Sequence, residues 1–286
     1  MAPSVNRKIL DTHLHTWELA RTPQDWINPV SMSAIARDFT VADAESEIDA
    51  AGVGACILVQ TENSLNETLW LLEAAAVRHV HGVVGWVDLA GDCAAGLDLL
   101  ERAVNGNALV GIRHLAHVEP DEQWLVRTDV RRGLDGLAAR GLPFEVVIRP
   151  WQLPLAVEIA RSHPELCVVL DHVGNPPIGT RSMDQWRAHI GELGACENVV
   201  AKISGLSVEN GRPGGYAADL RPIIDTALES FGPSRLMFGS DWPLVELSGG
   251  YSRWIDAYFE LTGALNPGEQ DDIDHATAYR IYRRKP

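Results

Sequence analysis

The sequence alternates between two kinds of segment along most of its length. Short runs rich in β-branched residues recur at intervals of about 30 residues, and each is followed by a stretch rich in Ala, Leu and Glu. Strands that alternate with helices indicate parallel βαβ units. Eight such units predict an α/β fold, a closed (β/α)8 barrel of the TIM type. The predicted strands are residues 8–13, 55–60, 82–87, 110–114, 144–148, 167–172, 199–204 and 235–240.

An open, doubly wound sheet is the alternative arrangement of the same units. That fold places a glycine-rich phosphate-binding turn after its first strand, and no such turn follows residues 8–13. The length of 286 residues also suits a barrel, which commonly needs about 250. No change in composition marks a domain boundary, so residues 1–286 are predicted to form a single barrel domain.

Three segments are longer than the turns that usually join a strand to the next helix. They are residues 16–43, 207–219 and 244–251. Each follows a predicted strand, so all three are expected at the C-terminal face of the barrel, where barrel enzymes carry their catalytic groups. These segments are therefore predicted to be loops that cover an active site.

The charge of the chain restricts its partners. With 24 basic and 39 acidic residues the net charge is −15, which disfavours binding to nucleic acid or to an anionic membrane surface. The first eight residues are polar, and no apolar run approaches the roughly 20 residues of a membrane span. The four cysteines form no C-x-x-C pair, and Cys56 and Cys167 lie in apolar strand-like runs where buried free thiols are expected, which fits a reducing compartment. We expect a cytoplasmic protein, a monomer or homodimer, whose partner is a small molecule.

Two histidines stand at the end of the first predicted strand. Side chains two residues apart in a strand point to the same side, so Asp11, His13 and His15 are predicted to share one face. Two imidazoles held together in this way can bind one divalent cation or polarise one carbonyl group. An H-x-H pair also arises by chance, and its position at the end of a barrel strand is what favours a functional role.

Two further strand ends carry residues of the same chemical type. Asp241 directly follows the last predicted strand, where a carboxylate can act as a general base on water or can cap the turn before Trp242. His172 ends the sixth strand and can be either a catalytic group or a buried core residue. Three strand ends that each carry such a residue are difficult to explain by packing alone.

The motifs that contain these residues resemble the amidohydrolase superfamily. The H-x-H pair, D-H-x-G-x-P-P at residues 171–177 and G-S-D-W-P at residues 239–243 are similar, in order and spacing, to its sugar-lactonase branch, the L-fuconolactonase and L-rhamnonolactonase type. The resemblance extends from Asp11 to Tyr282. It implies a hydrolase that opens a sugar lactone to its aldonic acid. The residues that it gathers around the scissile carbonyl are His13, His15, His172 and Asp241.

The resemblance also implies roles for these residues. Asp241 would activate water while the histidines polarise the carbonyl. The same four residues are candidate ligands for a single Zn²⁺, and hydrolysis without a metal is the alternative that some members of this branch imply. The fifth strand carries Glu145 where metal-dependent relatives commonly have a histidine, and the fourth strand has no lysine near its end to bridge two metals. A binuclear centre is therefore not expected.

Eight residues, most of them at or near strand ends, are candidates for binding the substrate. Arg113 and His114 are neighbours in one strand, so only one of them can face the barrel interior. Lys202 can bind a substrate oxygen or form an ion pair below the site, and Glu145 can be a ligand, a charge partner or an orienting residue. Tryptophan can cover a sugar ring, although core packing is its usual role. The full set is Trp17, Gln60, Trp86, Arg113, His114, Glu145, Lys202 and Trp242.

Two other functions fit the same fold. A metal-dependent decarboxylase would need a fuller set of metal ligands, for which Glu145 is the nearest candidate on the fifth strand. A sugar-acid binding protein that has lost catalysis would have no need of the three histidines and Asp241. Metal analysis and a screen of aldono-lactones distinguish these functions from lactone hydrolysis.

Overall fold

Eight parallel strands form the centre of the computed structural model, which describes residues 8–206 and 216–284. They pair in chain order within one sheet, and helices alternate with them along the sequence. All eight predicted strands are present, and the (β/α)8 barrel is confirmed. The strands are β1 (Leu10–Leu14), β2 (Ala55–Val59), β3 (Val80–Gly85), β4 (Leu109–Leu115), β5 (Phe144–Val147), β6 (Val168–Leu170), β7 (Val199–Ile203) and β8 (Leu236–Phe238).

The helices pack around the outside of the sheet, and polar caps fix where several of them begin. Thr40 accepts a hydrogen bond from the backbone N–H of Asp43, whose carboxylate accepts one from the N–H of Thr40. None of the helices in the described ranges is long and apolar enough to cross a membrane. The helices are α1 (Val41–Ala50), α2 (Leu65–Ala74), α3 (Cys93–Arg102), α4 (Thr128–Ala139), α5 (Leu153–Ser162), α6 (Met183–Gly194), α7 (Tyr216–Phe231), α8 (Tyr251–Thr262), α9 (Pro267–Asp271), a π-helical turn (Asp272–Ala276) and α10 (Thr277–Ile281).

Apolar side chains fill both sides of the sheet. The larger core lies between the outer face of the strands and the helices. A separate core fills the barrel interior, where Ala278 and Tyr282 from the end of the chain complete it. The barrel is therefore a packed structure and not a channel. The strand residues of the interior core are Leu10, Ile57, Val59, Val84, Val110, Val169, Val200 and Met237.

The first and last strands meet at the C-terminal mouth of the barrel. The backbone N–H of His15 donates to the carbonyl of Trp242 at 2.7 Å, and the N–H of Asp241 donates to the carbonyl of His13 at 2.8 Å. These two bonds join the backbone of the H-x-H pair directly to the backbone around Asp241. Residues from opposite ends of the sequence thereby come to one place.

The first strand departs from regular alternation at one position. Its pairing with β2 shifts between Asp11 and Leu14, where three steps along β1 match two along β2. Because of this β-bulge, His13 faces the interior while Asp11 accepts a hydrogen bond at 2.9 Å from the hydroxyl of Tyr251 in the helical layer. The prediction that Asp11 shares one face with His13 and His15 is therefore wrong.

The long loops contribute to the mouth of the barrel. Trp26 in the first predicted loop and Leu244 at the start of the third both line a pocket there. Residues 207–215 of the second predicted loop lie outside the described residues.

Candidate active site

A pocket of about 570 Å³ opens at the C-terminal ends of the strands. Its volume is in the range of small-molecule binding sites. Four of the residues singled out in the sequence line it, and they come from strands on different sides of the barrel. They are His15, Arg113, His172 and Asp241.

Three histidines and one aspartate meet at the base of this pocket. The Nε2 atoms of His15 and His13 lie 3.2 and 3.7 Å from Oδ1 of Asp241. The ring centroids of His13 and His172 are 4.6 Å apart. The structure therefore brings together the four residues that the motifs single out.

The imidazoles use one ring nitrogen to hold their own positions. Nδ1 of His15 donates to the carbonyl of Val59 at 2.7 Å, and Nδ1 of His172 bonds to Oγ of Ser204 at 2.9 Å. Burial lowers the pKa of His15 and holds the pKa of His13 well below its ordinary value, so both rings are neutral. In this tautomer of His15, Nε2 is a lone-pair acceptor that faces Asp241.

A network of buried charges lies around His13. The carboxylate of Asp171 is fully buried and lies 3.1 Å from Arg113 Nη1, 3.3 Å from Lys202 Nζ and 3.4 Å from His13 Nδ1. Burial alone would raise the pKa of Asp171, but Lys202, His13 and Arg113 together hold it well below its usual range. Sequence reasoning missed Asp171, although it directly precedes His172 in the D-H motif.

Glu145 is the counter-charge of Lys202. Nζ of Lys202 donates to Oε2 of Glu145 at 2.6 Å, and the hydroxyl of Tyr282 donates to Oε1. All three residues are fully buried. Burial raises the pKa of Glu145 to about 7, although the lysine opposes the shift. Of the predicted alternatives, the structure places Glu145 and Lys202 in the ion pair, and both lie outside the lining of the pocket.

Arg113 faces the barrel interior. Its Nη1 donates to Nε2 of His13 at 3.0 Å, and its Nη2 donates to the carbonyl of Gln60. The side chain of Gln60 donates back to the carbonyl of Arg113 at 3.1 Å, so Gln60 supports Arg113 from outside the pocket lining. Arg113 is 3 % exposed, and its guanidinium places a permanent positive charge beside the histidines.

His114 points away from the pocket. Nε1 of Trp86 donates to its Nδ1 at 3.0 Å, which leaves the proton on Nε2 for the bond of 2.7 Å to Glu119. The ring stacks on Trp124 with the centroids 3.6 Å apart. Burial lowers the pKa of His114 to about 3, so it is neutral. Of the two neighbours in β4, Arg113 therefore lines the pocket and His114 does not. His114 and Trp86 bond to each other outside the pocket lining.

Trp17 and Trp242 belong to an aromatic cluster beside the pocket. Phe39 packs between them, with ring centroids 5.5 Å from Trp17 and 5.1 Å from Trp242. Both tryptophans are buried, whereas Trp26, which packs on Trp17 at 6.0 Å, is 40 % exposed and lines the pocket. The tryptophan within reach of a bound molecule is thus Trp26, whose position depends on loop packing.

Much of the remaining lining was missed by sequence reasoning. Thr61, Glu62 and Asn63 follow β2, and His117 and Arg149 follow β4 and β5. Each lies within a few residues of the C-terminal end of a strand, where barrel enzymes place their functional groups. Inspection of the first four residues after every strand would have found all five.

The backbone is strained at two of the residues that line the pocket. Asp241 has a φ of 61°, and His172 begins a left-handed turn with φ values of 54° for His172 and 48° for Val173. Left-handed backbone costs roughly 1–2 kcal/mol for a residue with a β-carbon, and a β-branched residue there is unusual. Such strain is typical of functional sites, where the surrounding structure holds a side chain in one direction.

The donor set at the base of the pocket fits a single divalent cation. Imidazole nitrogen and carboxylate oxygen are ligands that zinc prefers, and those of His13, His172 and Asp241 lie within 4.8 Å of one another. Nε2 of His15 and Oδ1 of Asp241 are both acceptors at 3.2 Å, a pair that a shared cation would satisfy. Arg113 holds Nε2 of His13, and that bond would have to be released.

A second group of possible ligands is already neutralised. His13, Glu145 and Asp171 also place ligand atoms within 4.8 Å of one another. The ammonium group of Lys202 contacts both carboxylates of this group, at 2.6 and 3.3 Å. Lys202 therefore provides the positive charge that these two acids need.

Two named relatives resemble this chain over most of its length. An L-fucono-1,5-lactonase of Burkholderia multivorans is 34 % identical over 293 residues, which cover 96 % of this chain and 95 % of the relative. An L-fucono-1,5-lactonase of Burkholderia ambifaria is 34 % identical over 251 residues, which cover 86 % of this chain and 85 % of the relative.

A solved structure and a family model identify the family of this chain. The crystal structure of an amidohydrolase from Burkholderia multivorans with bound zinc superposes with a TM-score of 0.88. It is 34 % identical, and the match covers 97 % of this chain and 100 % of the other. The amidohydrolase family model matches residues 10–284. The chain therefore belongs to the amidohydrolase family.

Proposed function

We propose that this protein hydrolyses a sugar lactone to the aldonic acid, with L-fucono-1,5-lactone as the first substrate to test. The observation that carries the proposal is the Asp241 carboxylate, set against His13 and His15 at the base of a pocket of about 570 Å³. Two L-fucono-1,5-lactonases at 34 % identity support the choice of substrate.

Asp241 is the general base in this proposal. Its Oδ1 contacts the histidines, and Oδ2 takes no part in those contacts. The carboxylate accepts a proton from a water molecule whose oxygen attacks the lactone carbonyl carbon. The guanidinium of Arg113, which lines the pocket, stabilises the negative charge that develops on the carbonyl oxygen.

The second step opens the ring. The carbonyl re-forms as the bond between the carbonyl carbon and the ring oxygen breaks. Asp241 returns its proton to that ring oxygen, which becomes the hydroxyl of the product. The product is an aldonic acid, which releases one proton at neutral pH.

We further propose that the pocket holds one Zn²⁺. Its ligands would come from His13, His15, His172 and Asp241, and it would supply Lewis-acid polarisation of the carbonyl when bound. Nδ1 of His15, which donates to Val59 at 2.7 Å, holds that ring with Nε2 toward Asp241, as is usual for a ligating histidine.

A pH-indicator assay over a panel of aldono-lactones tests the proposed function. We expect proton release with L-fucono-1,5-lactone or a stereoisomer of it. A protein that binds these lactones without turning any of them over would instead be a sugar-acid binder, and the proposal would fail.

Removal of metal is expected to lower lactonase activity. Elemental analysis of the purified protein should find about one zinc per chain, and a His13→Ala variant should retain less. Dialysis against a chelator should lower kcat, and added Zn²⁺ should restore it. Full activity in a protein that contains no metal by elemental analysis would show that the reaction does not need a bound metal.

Replacing Gly205 by Ala is expected to displace His172. A β-carbon at Gly205 would lie 2.4 Å from Nδ1 of His172, closer than any side chain can approach. A shift of a catalytic group by about 1 Å can lower the rate about 100-fold, so we expect kcat to fall about 10- to 100-fold.

Gly232→Ala is the matched control for this substitution. Gly205 and Gly232 have φ values of 65° and 67°, but a β-carbon at Gly232 meets no atom within 4 Å. Both variants should lose similar stability from backbone strain, and only Gly205→Ala should lose activity. Equal activity in the two variants would contradict the role given to His172.

A further inference from the structure

One wall of the pocket carries a carboxylate that no neighbour neutralises. Thr61, Glu62 and Asn63 follow β2 and line the pocket. The side chain of Glu62 is half-buried, and within residues 8–206 and 216–284 no hydrogen-bond donor or cation contacts its carboxylate. A carboxylate on the pocket wall with no protein partner has both oxygens available to accept a hydrogen bond from a bound molecule.

The backbone of this wall is fixed by a second, buried carboxylate. Oε1 of Glu67 accepts hydrogen bonds from both the backbone N–H, at 2.9 Å, and the hydroxyl of Thr61. Oε2 of Glu67 accepts the backbone N–H of Glu62 at 2.9 Å. Glu67 is only 2 % exposed, so these three bonds are shielded from water.

The position of Glu67 in its helix explains this arrangement. Ser64 caps α2 and accepts the N–H of Glu67, which is therefore the third residue of the helix. A glutamate there usually turns back to the N–H of the capping residue itself. Here the carboxylate of Glu67 instead binds the N–H groups of Glu62 and Thr61, which lie two and three residues before the capping residue. The first turn of α2 thus holds Glu62 in place, while Asn63 accepts the backbone N–H of Leu115 in β4 at 3.0 Å.

Apart from Glu62 and from Asp241 at the base, the charged side chains of the pocket lining are cations. Arg113 and Arg149 line the pocket from β4 and from the residues after β5. Away from Asp241, a bound molecule therefore meets cations in β4 and after β5 and a carboxylate that follows β2. A carboxylate can only accept hydrogen bonds, so it favours a hydroxyl and repels a negatively charged substituent.

We propose that Glu62 determines substrate specificity by accepting a hydrogen bond from a ring hydroxyl of the lactone, and that Glu67 is the positioning residue that holds it there. This inference rests on the proposed lactone hydrolysis. It identifies the substrate as a neutral, hydroxylated lactone with no carboxylate on the side that faces Glu62.

The test compares a hydroxylated lactone with one that has no hydroxyl groups. L-fucono-1,5-lactone and δ-valerolactone are assayed with the wild type, Glu62→Gln and Glu62→Ala. With L-fucono-1,5-lactone, Glu62→Ala should lower kcat/KM about 10- to 100-fold, mainly through KM, because a bond to a charged group is lost. Glu62→Gln keeps an uncharged acceptor, so its kcat/KM should lie between those of the wild type and Glu62→Ala. With δ-valerolactone the kcat/KM values of all three proteins should agree within about 2-fold. Glu165→Ala, a control at an exposed residue, should match the wild type within about 2-fold with both lactones.

Glu67→Gln tests the positioning role. The amide places an N–H where the carboxylate accepted one, so the wall should move and KM for L-fucono-1,5-lactone should rise with little change for δ-valerolactone. The Glu62 variants decide the assignment even if Glu67→Gln does not fold. Equal losses with both lactones, or no loss with either, would overturn it. A wild type that opens neither lactone would instead remove the proposed function, and this inference with it.

Discussion

Replacing Asp241 by Asn is expected to lower kcat by about 100- to 10,000-fold, the usual contribution of general-base catalysis. The amide cannot accept the proton of water, although it matches the carboxylate in size. Asn also tolerates the left-handed backbone at this position, where φ is 61°. The fold should therefore survive, and the loss should appear in kcat for L-fucono-1,5-lactone with a much smaller change in KM.

The control for Asp241→Asn is the same chemical change at Asp256, which is exposed on α8. Asp256→Asn should match the wild type in kcat, KM and melting temperature. Near wild-type kcat in Asp241→Asn would show that Asp241 is not the base. A collapse of the melting temperature in that variant would assign Asp241 a structural role at the mouth of the barrel.

Replacing Lys202 by Met is expected to destabilise the protein by about 3–5 kcal/mol, because removing one partner of a buried ion pair leaves the other charge unpaired. Lys202 is fully buried and serves two carboxylates, those of Glu145 at 2.6 Å and Asp171 at 3.3 Å. Unfolding in urea, followed by tryptophan fluorescence, measures the loss as a shift in the free energy of unfolding.

The double variant Lys202→Met, Glu145→Gln should recover a large part of that stability, because the amide removes one unpaired charge and can still accept the hydroxyl of Tyr282. Arg161→Met, which breaks the exposed pair with Glu192, should have little effect. If Lys202→Met were as stable as Arg161→Met, the buried network would not contribute to folding.

The loss in Lys202→Met should depend on pH. Burial raises the pKa of Glu145 to about 7, above the ordinary glutamate value of 4.5, and removing the lysine can only raise it further. In both proteins the folded state binds more protons than the unfolded state above pH 4.5, so the free energy of unfolding falls as pH rises from 4.5 to the folded pKa of Glu145. This fall ends near pH 7 in the wild type and continues to a higher pH in Lys202→Met. The difference in stability between wild type and Lys202→Met should therefore be larger at pH 8 than at pH 5.

Residues at the ends of strands could be predicted from the sequence because strand positions follow directly from local pattern. His13, His15, His172 and Asp241 each stand at or next to the end of a β-branched run, and a barrel brings all strand ends to one face. The periodicity of β4 also showed that Arg113 and His114 point in opposite directions, without showing which one faces inward. That choice depends on the register between strands, which is a tertiary property.

Other features depend on packing that no local pattern records. The bulge in β1 turned Asp11 toward Tyr251, since one extra residue reverses the alternation. Trp26 reaches the pocket only because its loop packs on Trp17. Glu62 lies in the wall because Glu67 binds its backbone, and a glutamate in the first turn of a helix usually indicates only a cap.

The backbone bonds between β1 and the residues after β8 make this site suitable for a split reporter. His15 and Asp241 are 226 positions apart in sequence, yet their side chains are 3.2 Å apart. If the chain were cut between α4 and β5, one fragment would carry the H-x-H pair and the other would carry His172 and Asp241. Neither fragment alone would hold a complete site. Turnover of lactone would then report the association of the two halves, and of any proteins fused to them.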